Sequence, residues 1–377
     1  MKNKHIPVEI DFDDLVSVKT FESNILYNIN LVNALPNPYV GNKRKVIFEI
    51  CSLLEKNNII YNSILDLFSG SSCFSIVMKL MEKRVISNDI LTSSYVYASA
   101  FVEQQKTLSQ EKINFLLKNK AKKTSTFVKD NFLNRFTLAE AEILDFYYTN
   151  ILEMFSLNKK TDGLFASDGC LNPNAAIAFA NMQLFILDKC FVGGRLNNGQ
   201  VLAKRDHRIS HKRNNGYEMN FNNLHWYSFA ESDKNNHKAF CLDATDCLND
   251  DFLHNNKPDI VYMDPPYGGQ QSDYAKMYSF FESYIYQKLH DQWRTQKQNK
   301  FSQKKIYEDN FRKVIEESLY IPTLVLSYND SSWADIQYIL NIIKDFRNII
   351  DVKKIEYKYK YRNNKNKLGV EYIIIAM

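Results

Sequence analysis

The sequence predicts an α/β fold built around a largely parallel sheet, and three observations carry that expectation. Short apolar runs, each the length of a buried strand, recur along the chain. Helical stretches separate them, as strand–helix repeats require. Several of the runs end on an acid, and in open parallel sheets the carboxyl edge of the strands is where ligands bind.

The elements follow in order. "SILDLFSGSSCFSIVMKL" (63–80) reads as a buried strand, a glycine-containing turn and a helix. "KRVISNDI" (83–90) reads as a second strand ending at Asp89, and "AFCLDATD" (239–246) as a third. "DIVYMDPPY" (259–267), "PTLVLSYND" (322–330) and the terminal "GVEYIIIAM" (369–377) supply three more. Three strand–helix steps of roughly 30 residues each should carry the chain from Asp66 to Asp264, which leaves roughly 100 residues surplus to the sheet. Most of that surplus lies between Asp89 and the third strand. The expected organisation is a core domain in two parts, 1–104 and 236–377, framing an insertion over 105–235. The insertion starts helical ("AEAEILDFYYTNILEMF") and becomes basic and Asn/Gly-rich, a place to grip a large substrate.

Composition bounds the function classes. A chain of 377 residues with 45% apolar content supports a sizeable core. "MKNKHIPVEIDFDDL" lacks the apolar centre of a signal peptide, and no run reaches the ~18 apolar residues of a membrane span. Six cysteines without a CxxC pair suggest neither a disulfide framework nor a zinc ribbon, so a cytoplasmic location is expected. The formal charge of +5 is mild, but its distribution is uneven. "VLAKRDHRISHKR" (201–213) gathers Lys204, Arg205, Arg208, Lys212 and Arg213, and "KKIEYKYKYRNNKNK" (353–367) interleaves tyrosines with lysines. Phosphate contact and base stacking use such mixtures, and a solvated surface is the alternative. His207 and His211 have the spacing of helical zinc ligands but lack the acid of H-E-x-x-H, so no metal is expected. Cys241, Cys247 and the aromatics of "LHWYSF" (224–229) read as core, and "YIYQKLHDQWRTQKQNKFSQKK" (284–305) reads as one helix with a basic face.

The chemistry concentrates at two places. In "IVYMDPPYGG" (260–269) a strand stops at an acid and two prolines, which fix their own backbone angles and restrict the residue before them. Asp264 and Tyr267 are thereby held at a strand's carboxyl end. In "DLFSG" an acid ends a strand before a glycine turn through which backbone can approach a ligand, and Asp89 follows Asp66 by about 20 residues, where a ribose hydroxyl pair is usually held. G-S-S-C-F-S lacks the glycines of a dinucleotide loop. A nucleoside without phosphates fits better, and S-adenosylmethionine is the common one.

These residues reach a family. "PNPYVGNKRK" (36–45), "ILDLFSGSSCFS", "VISNDI", "CLDATD", "DIVYMDPPY" and "VLSYND" occur in the order of the Dam-like DNA adenine-N6 methyltransferases, which the sequence resembles. The resemblance implies a Rossmann-like S-adenosylmethionine-dependent sheet with a largely helical insertion that recognises double-stranded DNA. It implies that Asp264 and the carbonyl of Pro265 accept the two hydrogens of an adenine amino group. Pro266 would stiffen the turn, and Tyr267 would stack on a base taken out of the duplex. Asp66, Phe68 and Gly70 would line the cofactor pocket, Asp89 would bind the ribose, and Asp243 would lie near the cofactor's adenine. Tyr39, Gly41 and Lys43 match the motif that closes over the methionine part. Ser72 stands where many relatives have a second glycine, and a tighter pocket is expected there. A cognate restriction endonuclease is an implied partner. The rival readings are transfer to cytosine N4, transfer to RNA, and a degenerate DNA-binding module.

Overall fold

The computed structural model describes residues 43, 46–104, 107–118, 124–133, 136–155, 172–190, 226–229, 235–266, 268, 274–289, 300–330, 332–358 and 368–377. Helix α1 (Ile47–Lys56) leads into β1 (Ser63–Asp66), α2 (Cys73–Leu80), β2 (Arg84–Asn88) and α3 (Thr92–Ala98), which continues as a π-helical turn. Helices α4 (Gln110–Lys118), α5 (Phe127–Asn131), α6 (Leu138–Met154) and α7 (Pro173–Cys190) follow before the next strand. The sheet resumes with β3 (Lys238–Phe240), the short helices α8 (Ala244–Leu248) and α9 (Asp251–Asn255), and β4 (Ile260–Met263). Then come α10 (Tyr274–Met277), α11 (Ser279–Tyr286), α12 (Tyr307–Glu317), β5 (Thr323–Asn329), α13 (Ile336–Phe346), β6 (Ile349–Lys358) and β7 (Leu368–Ala376).

The strands lie in the order β3-β2-β1-β4-β5-β7-β6. The first five are parallel to one another, whereas β7 inserts between β5 and β6 antiparallel to both. The chain runs outward from β1 to β3 and then returns to β4 on the other side of β1. That reversal opens a crevice above the carboxyl ends of β1 and β4.

Alternation along each strand divides the core in two, because successive side chains point to opposite faces. Ile64, Val85, Ile260, Tyr262, Val325, Ile373 and Ile375 join α1, α2 and α3 in one apolar cluster. Leu65, Ile86, Val261, Met263, Leu324, Leu326 and Ile374 join α8, α9, α12 and α13 in the other. Both faces are covered, which is why these strands read as unbroken apolar runs. Helices α6 and α7 extend the first cluster: Leu144, Tyr147, Ile151 and Phe179 belong to it together with Phe74 and Tyr97. Tyrosines of α6 and α11 tie the helices together. Tyr147 Oη donates to the Ala178 carbonyl at 2.8 Å, and Tyr284 Oη donates to that of Leu144 at 2.6 Å. A capping box of Thr137 and Glu140 starts α6.

One expectation needs correction. Residues 284–305 are not one helix: α11 ends at Tyr286, and Gln287 turns left-handed at φ +51° while Lys288 N bonds back to the Ser283 carbonyl at 3.2 Å. Residues 300–302 and 304–306 form separate single 3₁₀ turns. The sheet is largely parallel as expected, with β7 running against its neighbours β5 and β6. Cys247 and Phe229 are core as expected, and Cys241, Trp226 and Tyr227 are half-buried against the first cluster. Among the described residues no helix is long and apolar enough to cross a membrane.

Candidate active site

Asp66 closes β1 and is 1% exposed. Its Oδ2 accepts from Ser75 Oγ at 2.7 Å, and Ser75 Oγ in turn accepts from Ser87 Oγ at 2.6 Å. Its Oδ1 is buried without a hydrogen-bond partner among the described residues. Burial pushes the carboxyl up to about 7; Ser75 opposes this, while the charges of Asp264 and Asp89 add to it. The following turn brings Gly70 to φ +51°, and its N–H donates to Asp89 Oδ2 at 2.9 Å. Leu91 N donates to Asp89 Oδ1 at 2.8 Å. Each oxygen of Asp89 thus accepts from a backbone N–H of the turn.

Ser72 starts α2 at φ +57°, fully buried. It is absent from the cleft wall, to which its neighbours Ser71 and Cys73 contribute. The effect of serine there falls on backbone strain rather than on pocket width, because a left-handed position favours glycine.

One wall of the cleft is apolar. Phe68 meets Phe301 edge to face at a centroid distance of 5.2 Å, with Leu242 and Ala244 alongside. Asp243 caps α8: its Oδ1 accepts from Thr245 N at 3.1 Å and pairs with Lys300 Nζ at 2.9 Å.

Asp264, Pro265 and Pro266 leave the end of β4, with both prolines buried and the Asp264 side chain 16% exposed. Lys43 Nζ lies 3.1 Å from Asp264 Oδ1 and 2.6 Å from Glu371 Oε1. Burial pulls the Lys43 ammonium down, but Asp264 and Glu371 together outweigh it and hold the group above the usual lysine range. Glu371 is buried on β7 opposite Asn329, whose Nδ2 donates to Oε2 at 3.1 Å. Tyr262 packs its ring on Phe74 at a centroid distance of 4.0 Å and forms part of the cleft wall.

The structure brings Lys43, Asp66, Phe68, Gly70, Asp89, Asp243, Asp264, Pro265 and Pro266 to one cleft. Tyr39, Gly41, Tyr267, the basic residues Lys204, Arg205, Arg208, Lys212 and Arg213, and His207 and His211 lie outside the described residues. Sequence reasoning missed Tyr262, Phe301, Lys300 and Glu371. Glu371 left a signal, being the single acid in an otherwise apolar terminal strand. Among the described residues no cluster of His, Cys, Asp and Glu is arranged to hold a metal ion. The wall suits a nucleoside carrying a cationic end. An unpartnered buried carboxylate oxygen, an acid at a glycine turn and an aromatic slot are the three features such a ligand needs.

An α/β sheet with acids above the β1/β4 crevice and D-P-P at the end of β4 defines the class of amino-group methyltransferases that use a nucleoside methyl donor. The family model of the D12 class N6 adenine-specific DNA methyltransferases matches residues 39–163, the stretch holding Lys43, Asp66 and Asp89. The chain is 27% identical over 342 residues to the Type II methyltransferase M2.HphI of Haemophilus parahaemolyticus, covering 87% of this chain and 93% of that one. It is 26% identical over 350 residues to the Modification methylase StsI of Streptococcus sanguinis, of whose length it spans 50%. The chain is thus similar over that stretch to the D12 class N6 adenine-specific DNA methyltransferases, and over most of its length to two DNA modification enzymes. That likeness implies DNA as substrate and a methyl donor of the S-adenosylmethionine type.

Proposed function

We propose that the protein methylates N6 of an adenine extruded from duplex DNA at one short sequence, with S-adenosylmethionine as donor. The observation that carries this reading is the meeting of Asp264-Pro265-Pro266 with the Asp66–Asp89 edge in one cleft. When bound, S-adenosylmethionine supplies an electrophilic methyl group. The chain's own residues do the rest. Asp66 Oδ1 receives the donor's ammonium, Asp89 receives the ribose hydroxyls, and Phe68 and Phe301 flank the adenine near Asp243. Adenine's exocyclic nitrogen is a poor nucleophile because its lone pair is delocalised into the ring. The Asp264 carboxylate and the Pro265 carbonyl each accept one amino hydrogen, drawing the nitrogen toward a tetrahedral geometry. Two prolines hold both acceptors, so orientation supplies most of the catalysis. Tyr267 stacks on the extruded base.

The insertion over 105–235, with its basic run 204–213, serves as the target-recognition part, where lysines and arginines neutralise phosphates. The names of the two relatives support a modification role, and a cognate endonuclease is the partner this reading expects. Single-molecule sequencing of DNA from a methylation-free host expressing the protein tests it. N6-methyladenine at one short motif is the expected result, lost in Asp264→Ala while binding of S-adenosylhomocysteine persists. N4-methylcytosine at the motif overturns the acceptor. An unmodified genome with intact cofactor binding overturns duplex DNA as substrate.

A further inference from the structure

We propose that Glu371 is a positioning residue for methyl transfer: it shares the Lys43 ammonium with Asp264 and so keeps the Asp264 carboxylate basic and open to the adenine amino group. This rests on the assignment of Asp264 made above.

A carboxylate buried in a sheet costs several kcal/mol unless it is paired, and every neighbour of Glu371 along "GVEYIIIAM" is apolar or aromatic. Nothing in strand formation calls for an acid there. Its two oxygens are nonetheless both engaged, Oε1 by Lys43 at 2.6 Å and Oε2 by Asn329 at 3.1 Å. Lys43 reaches Asp264 by the longer contact, 3.1 Å. The ammonium is therefore centred toward Glu371, and Asp264 takes the weaker share. Counting charge, two carboxylates and one ammonium leave one negative charge, and Asp264 is the member at the reacting edge of the cleft.

The alternatives to this arrangement are each worse for the reaction. Without Glu371, the ammonium settles on Asp264, occupies an acceptor oxygen and lowers its basicity. Without Lys43, Asp264 and Glu371 repel each other across the gap, and the nearby Asp66 charge adds to the repulsion. The groups facing Asp264 from the surrounding elements are Lys43, Glu371 on β7, Asp66 on β1 and the Tyr262 hydroxyl on β4.

The test uses full-length protein, a duplex carrying its methylated motif, and pH profiles of kcat alongside calorimetric binding of S-adenosylhomocysteine. E371Q should lose about tenfold or more in kcat with cofactor affinity nearly unchanged, and its acidic limb should move to lower pH. K43M should move the acidic limb to higher pH, and adding E371Q to K43M should move it back, a non-additive pair. E371D keeps the charge at a shorter reach and should retain more activity than the isosteric E371Q. The reverse order marks a packing role and overturns the inference, as does a wild-type profile in E371Q or strict additivity with K43M. Each variant is first checked for its wild-type circular dichroism. If E371Q does not fold, the comparison of E371D with K43M decides, because an acidic limb unmoved in both overturns the proposal. Wild-type protein that methylates no adenine removes the functional reading itself, whereas active wild type with an unmoved E371Q removes only this inference.

Discussion

Asp66 holds its proton to a pH at which an ordinary aspartate has long lost it. The sign of the consequence is definite. Its folded value of about 7 lies above the 3.8 of a free carboxyl, so relative to the protonated chain, stability falls as pH rises through that interval. The loss is complete once pH passes the folded value, with an upper bound of about 4 kcal/mol. A cation placed on the unpartnered Oδ1 favours the charged form and expels the proton. Binding of S-adenosylhomocysteine at pH 7 should thus release on the order of half a proton, and little at pH 9. Calorimetry in buffers of different ionisation enthalpy measures this directly. A binding enthalpy independent of buffer at pH 7 would remove Asp66 from the ammonium site.

At the scale of the element, the turn after β4 is held from two sides. Pro265 and Pro266 stiffen its start, and Gly268 at φ +86° closes it against the Trp333 indole that follows β5. A Cβ at position 268 would overlap that ring and would sit in a conformation that L residues avoid. Gly268→Ala should therefore destabilise by about 2 kcal/mol or more in urea unfolding and lower kcat by displacing Asp264. Pairing it with Trp333→Ala relieves the overlap but not the dihedral, so about half the stability should return. Undiminished stability in the single variant would show that the turn has another resting shape. The same physics explains Ser72, whose φ of +57° is the reason a glycine suits that helix start.

Over the whole molecule, the net charge of +5 is too small to explain DNA binding by itself, so position must matter more than total. If the run 204–213 lies along phosphates, replacing Lys204, Arg205 and Arg208 with alanine flattens the slope of log affinity against log salt by up to about three. Fluorescence anisotropy over a salt series reads it, and an unchanged slope returns the run to solvated surface. Helices α6 and α7 share one apolar cluster with the sheet, so their packing is continuous with the core beneath the cleft.

Much of this was legible locally. Strand ends at Asp66, Asp89 and Asp264 could be read because an apolar run that stops at an acid or a proline is a short-range pattern, and those acids do share one cleft. The helix break at Gln287 was not legible, since nothing in "YIYQKLH" forbids a further turn and the left-handed residue is a glutamine. The motif holding Lys43 is legible as part of the cleft, which Lys43 lines, but its pairing there with Asp264 and Glu371 is not. The sequence by itself determined the fold class, the order of the motifs and the acids of the cleft, because each depends on residues within a few positions of one another. Only the tertiary structure decided that Glu371 stands beside Lys43, 328 residues away. That contact exists because β7 enters the sheet antiparallel between β5 and β6, and strand order is settled by long-range packing that no local pattern encodes.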